Sequence, residues 1–252
     1  SFYGEGGTDN QHFVGINQAT PLFRGGGMYK QDGATFKLLA STAPGTSSDF
    51  YGVRRLVAHP TNANVLIAAT TTGVFETTDG GSTWHKAIPV AGQSWDVAFS
   101  SEGAVLANVG QKTYLRLPNA QEFNVVSGNI AEGKITESNG RYVFDYYIGD
   151  PNVVFVSLAD ATGELKGIYR SGDKGITWSQ IGYGGTEVFK PFGTNKQGIY
   201  DQALKAVAPY EVLLGGVDLW WGHGVEGQNV FQWSKISYWN IDESQPFYLH
   251  AD

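Results

Sequence analysis

The chain has no cysteine and a single methionine among 252 residues, and its charged residues amount to only 16%. Without cysteine there is neither a disulfide framework nor a thiolate metal site. The charged share falls well below the roughly 25% of an average soluble domain, so long solvent-facing helices, which need Glu and Lys, are not expected. Apolar runs are short as well. None approaches the ~18 residues that would cross a bilayer as a helix, so no transmembrane segment is expected. Basic residues are few and scattered, 17 against 24 acidic, and the pair Arg54–Arg55 is their densest cluster. The resulting net charge of -7 excludes the clustered basic surface that nucleic-acid binding requires.

What is abundant is glycine, at 34 residues, and aromatics, at 13% of the chain. Many glycines and aromatics with few charges describe short strands joined by tight turns, an all-β chain. The segment TTDGGSTW (77–84) returns as SGDKGITW (171–178), with the shared pattern Ser/Thr-x-Asp-x-Gly-x-Thr-Trp. Phe36, Trp84, Phe123, Trp178 and Trp233 close such segments at intervals of 48, 39, 55 and 55 residues. That period suits a unit of four antiparallel strands, the blade of a β-propeller.

The clearest unit runs VRRLVAH (53–59), VLIAAT (65–70), GVFETT (73–78) and TWHKAI (83–88). Its second segment is apolar at every position but the last, as expected for a strand buried on both faces. Three further units follow the same scheme. They begin at SWDVAFS (94–100), YVFDYYI (142–148) and YDQALKAV (200–207). The expected organisation is one propeller domain or propeller fragment over 1–252. Its approximate blades are 1–41, 42–92, 93–130, 131–190 and 191–240, and 241–252 starts a new blade or supplies a closing strand.

In the repeated segment every residue has a folding role. Asp79 and Asp173 accept backbone N–H groups within their own turn. Gly81 and Gly175 supply a positive φ. Thr77 and Ser171 add a hydroxyl bond, while Trp84 and Trp178 bury an aromatic face. The segment is therefore read as scaffold.

These motifs resemble the Asp box, or BNR repeat, of sialidases, sortilin-type receptors and secreted bacterial propellers. The phrases LVAHPTNANVLIAATTTGVFETTDGGSTW, GIYDQALKAVAPYEVLLGGVDLWW and FYLHAD resemble sortilin-like propellers of secreted or cell-envelope proteins in Bacteroidetes, from about residue 22 onward. The resemblance implies export, in part through the type IX secretion system, and a secreted, periplasmic or cell-surface location. It also implies that the pattern at His250–Asp252 opens a further blade, which favours the fragment reading.

Catalytic candidates are few. YLRLP, with Arg116 and Pro118, is the one lookalike of the sialidase Arg-x-Pro signature, but it follows the first clear box instead of preceding it. Three converging arginines would take half of the six present. A glycoside hydrolase of another kind needs two carboxyls about 5–10 Å apart. The triplets around Asp96, Asp145 and Asp201 place acids on innermost strands, and Asp145 with Asp201 is the pair to test. The competing reading makes each Asp a tie between blades, with Arg55 opposite Asp96. Trp220 and Trp221 in DLWWGHG are candidates for stacking on a sugar or gripping a peptide, against a plain packing role. The five histidines lack metal-ligand spacing, and neither a metal nor a cofactor is expected. The leading expectation is a non-catalytic interaction module with a protein partner in the envelope. The alternatives are a secreted glycosidase or a glycan-binding propeller.

Overall fold

The computed structural model describes residues 26–43, 45–184, 189–228 and 230–238, Ser244, Pro246, and the backbone of two short strands at 2–4 and 11–13. The strands are β1 (Phe2–Gly4), β2 (Gln11–Phe13), β3 (Tyr29–Asp32), β4 (Thr35–Leu38), β5 (Val53–Ala58), β6 (Leu66–Thr70), β7 (Gly73–Thr77), β8 (His85–Lys86), β9 (Val97–Phe99) and β10 (Val105–Val109). They continue as β11 (Lys112–Arg116), β12 (Asn124–Val125), β13 (Tyr142–Tyr146), β14 (Val154–Ala159), β15 (Leu165–Ser171), β16 (Ser179–Gly182), β17 (Ala203–Ala208), β18 (Glu211–Gly215), β19 (Leu219–Gly224) and β20 (Phe231–Lys235).

Strands β5–β8, β9–β12, β13–β16 and β17–β20 form four meandering antiparallel sheets of four strands each, and β1–β2 and β3–β4 form two-stranded sheets before them. The first strand of each full sheet lies beside the first strand of the next, β5 by β9, β9 by β13 and β13 by β17. Sheets repeated in this way around a common line of innermost strands are propeller blades. The proposed strand 247–252 and His250 lie outside the described residues.

The core is divided into layers between successive sheets. Met28, Phe50, Val53 and Phe75 pack the β3–β4 hairpin on the β5–β8 sheet. Ile67, Val74, Val97 and Val105 fill the next layer, Leu106, Tyr142, Phe144 and Trp178 the one after, and Phe155, Ile168, Leu214 and Trp220 the last. Because β10 and β14 face a neighbour on both sides, all their residues are buried, and the two strands are apolar but for Asn108 and Ser157. On β19 buried and solvent-facing residues alternate, so one face of the last sheet is covered and the other is open.

One segment of the repeat departs from the expected pattern. KQDGATF folds as a two-residue hairpin around Gly33 (φ 63°), and Phe36 is 45% exposed on β4, not packed like Trp178. Its Thr35–Phe36 end matches the boxes, but Gly33 follows Asp32 directly, and the shorter turn pairs Asp32 with Thr35 and leaves Phe36 on a solvent-facing strand.

Candidate functional site

The innermost strands begin at one mouth of the propeller, where chemistry-bearing side chains gather. Asp96 stands just before β9 and is buried at 5% exposure. Its Oδ1 accepts the Val97 N–H at 2.9 Å and its Oδ2 accepts the Phe144 N–H of β13 at 2.7 Å. Arg55 Nε of β5 lies 3.6 Å from Oδ1, so this carboxyl spans three successive innermost strands. Burial raises the Asp96 pKa above the ordinary carboxylate value, opposed by Arg55, the two amides and Arg141.

Asp145 makes the same kind of tie one sheet later. On β13 its Oδ2 accepts the Ala206 N–H of β17 at 2.6 Å and the Lys205 ammonium at 2.9 Å. Asp201 precedes β17 as Asp96 precedes β9, but its charge acts on Arg141, whose Nη1 donates to the carbonyls of Ile199 (3.2 Å) and Tyr200 (2.7 Å). Two of the three aromatic–Asp triplets therefore hold acids that accept an amide of the next innermost strand, and the third holds one whose charge acts on Arg141. Burial lowers the pKa of Arg141, partly offset by Asp96 and Asp201.

Arg54, half of the densest basic pair in the sequence, takes a role that the pair by itself does not specify. A register shift between Val53 and Arg55 lets both side chains reach the segment leading into β9. Arg54 stacks on the Trp95 ring, with the guanidinium carbon 3.5 Å from its centroid, and Nη2 donates to Gln93 Oε1 at 2.9 Å. Its pKa is lowered to about 10, first by burial and then by the charge of Arg141. Despite their scarcity, three of the six arginines do gather here. They are not an open triad, since Arg55 faces Asp96 and Arg141 holds two carbonyls.

The boxes lie elsewhere, at the β7–β8 and β15–β16 turns. In the first, Thr77 Oγ1 donates to Asp79 Oδ1 at 2.7 Å and accepts the Gly81 N–H at 3.0 Å. In the second, Ser171 Oγ and Asp173 Oδ1 are 2.7 Å apart and the Gly175 N–H reaches Ser171 at 2.9 Å. Gly81 and Gly175 have φ of 92° and 101°. The boxes diverge at the tryptophan: Trp178 Nε1 donates to the Gly175 carbonyl at 2.9 Å, whereas Trp84 packs on Phe50 and its buried Nε1 has no hydrogen-bond partner among the described residues.

Arg116 is on β11, third in its sheet, and grips Glu76 of β7 through two bonds of 2.8 and 2.6 Å, linking adjacent sheets. Trp220 is buried at 6% exposure against Phe189, so it presents no surface for a ligand, while Trp221 is 37% exposed beside His223 on the open face. A cavity of about 160 Å³ between Leu165, Phe189 and Phe192 lies away from all these acids. Among the described residues no group of three His, Asp or Glu side chains could hold a metal, and no helix is long and apolar enough to cross a membrane.

The chain resembles a GH74 enzyme of Niastella koreensis with a TM-score of 0.59 at 15% identity, covering 82% of this chain and 34% of that one. It resembles the GH74 xyloglucanase of Xanthomonas campestris with a TM-score of 0.58 at 17% identity, covering 82% and 35%. It also resembles PorZ of Porphyromonas gingivalis, described as an essential bacterial surface component of the type-IX secretion system, with a TM-score of 0.50 at 14% identity, covering 84% and 31%. These are β-propeller proteins. The fold is shared. The chain spans about a third of the length of each. No protein-family model matches it, and no curated protein matches by sequence.

Proposed function

We propose that this chain is a non-catalytic propeller module that binds a protein partner in the bacterial cell envelope or outside the cell. The observation that carries this reading is the use made of the inner-strand acids. Hydrolysis of a glycosidic bond needs one carboxyl to protonate the leaving oxygen and a second to attack or to activate water. Asp145 Oδ2 is taken by the Ala206 amide and Lys205, and Asp96 is buried between amides. Both are employed in holding sheets together. The envelope location draws on the resemblance of the sequence phrases to exported Bacteroidetes propellers, and the similarity to PorZ is in keeping with it.

The test is crosslinked purification of the tagged protein from its own envelope, alongside a screen for release of reducing sugar. A stoichiometric protein partner and no sugar release is the expected result. Turnover of a glycan that disappears in Asp145→Asn would sink the proposal. A second reading, contact with a glycan, rests on the exposed Trp221 alone.

A further inference from the structure

The cavity beside the last two sheets has a floor and a rim of opposite character. Leu165, Phe189, Pro191 and Phe192 are buried and apolar, whereas Glu164 and Thr194 are exposed at the opening. Leu165 begins β15, and Phe189, Pro191, Phe192 and Thr194 belong to the segment that joins β16 to β17. That segment is pinned at three points, each by a bond of 2.9 Å. The Pro191 carbonyl accepts the Val217 N–H from the β18–β19 turn, the Phe192 carbonyl accepts the Gln197 N–H, and the Gly198 N–H donates to the Gly163 carbonyl of the β14–β15 turn. Phe189 is wedged against Trp220 and Trp233, with ring centroids 5.0 and 4.7 Å away. The walls are therefore built in, and collapse into the space would break these contacts.

The volume selects the occupant. At about 160 Å³ the space matches a single ring, since an apolar cavity of about 150 Å³ is enough to hold benzene. It is half open, so a seated ring keeps one side toward solvent. A free aromatic ligand calls for a pocket that closes over most of its surface, whereas a ring tethered to a chain needs an open side for its attachment. Beside the opening stand groups of both signs, Glu164 and Lys196, paired at 3.0 Å. A polar rim around an apolar anchor pocket suits a polypeptide and opposes a lipid tail.

We propose that this cavity seats one aromatic side chain of a partner polypeptide, with Leu165, Phe189 and Phe192 as its walls. The partner's peptide groups then lie over Thr194 and the Glu164–Lys196 pair. The proposal rests on the interaction-module reading and says where the partner anchors.

The first experiment is a chemical-shift titration of the full chain with N-acetylphenylalaninamide and, as control, N-acetylalaninamide. The aromatic probe should shift resonances of Leu165, Phe189 and Phe192 with a dissociation constant in the millimolar range, as one small anchor allows, and the alanine probe should not. Leu165→Trp fills the cavity and Thr194→Trp obstructs its opening from an exposed position. Each should weaken the aromatic probe by roughly tenfold or more. Unfolding curves report whether the variants are intact, and Thr194→Trp decides if Leu165→Trp does not fold. No shift at these residues, equal shifts from the alanine probe, or unchanged affinity in the folded variants would overturn the proposal. The second experiment repeats the crosslinked purification with the tagged variants. Loss of the partner in a folded variant supports the proposal. A partner retained while the probe is excluded overturns the anchor and leaves the interaction reading standing. Probe binding by a chain that captures no partner removes the interaction reading, and with it a partner's side chain as the occupant.

Discussion

Thr83 and Thr177 complete the two boxes in the same way. Each gives its amide to one oxygen of the box aspartate, at 2.9 and 2.8 Å, and its hydroxyl to the other, at 2.6 Å in both. Removing Asp173 strands an amide and two hydroxyls in one turn, so Asp173→Ala should cost about 1–3 kcal/mol, read from a denaturant midpoint. The Thr83 hydroxyl first, then its amide and Thr77, hold Asp79 well below the ordinary carboxylate range. Asp173 is also lowered: burial works against this, and the bonds from Thr177 and Ser171 outweigh it. A depressed pKa in the folded state contributes stability that is present above the unfolded value, 3.8, and is lost as pH falls through the folded value. The urea midpoint should therefore drop on acidification below about pH 4, and Asp173→Asn should flatten that limb. At Gly81 an added Cβ would meet Leu39 Cδ1 at 2.6 Å in a backbone with φ 92°, so Gly81→Ala should destabilise more than an exposed Gly→Ala change. The spacing of Thr, Asp, Gly and Thr made this turn legible, because all its partners lie within seven residues. The different fates of Trp84 and Trp178 were not legible, since Phe50 reaches Trp84 from the short turn that precedes β5, far away in the sequence.

Between elements, single acids join consecutive sheets. Asp96→Ala removes the acceptor of the Phe144 and Val97 amides and the counter-charge of Arg55. It should destabilise by about 2–4 kcal/mol in equilibrium unfolding, because buried donors are left without partners. Asp145→Ala should cost less, since its Lys205 partner is 61% exposed and solvent screens that pair. Asp96 titrates in the opposite sense to the boxes. Its raised pKa contributes stability that is fully present below the unfolded value and is lost as pH rises through the folded value. In Asp96→Asn that loss on raising the pH should therefore vanish, while the acid limb set by the boxes persists. The three aromatic–Asp triplets announced inner-strand acids, but not that the charge of Asp201 would act on Arg141.

At the scale of the whole molecule, the two tryptophans of β19 separate the covered from the open face of the last sheet. Trp220→Ala should cost about 3–5 kcal/mol, because its ring meets Phe189 at a 5.0 Å centroid distance and fills the layer beneath. Trp221→Ala should change stability by less than about 1 kcal/mol. If it also abolishes retention on a glycan array, the sugar-contact reading gains, and retention unchanged retires it.

Period and alternation were enough to determine that this chain is all-β, built of four-stranded units with Asp-containing turns, because strand faces and tight turns are set by neighbours a few residues apart. Only the tertiary structure decided what the inner-strand side chains do. Asp96 reaches Phe144 across 48 residues and Arg54 reaches Gln93 across 39. Those pairings depend on how sheets stack around the line of innermost strands and on one register shift at Arg55, neither of which leaves a local pattern. Whether a charge becomes a tie between sheets is settled by burial and by what the next sheet brings opposite it.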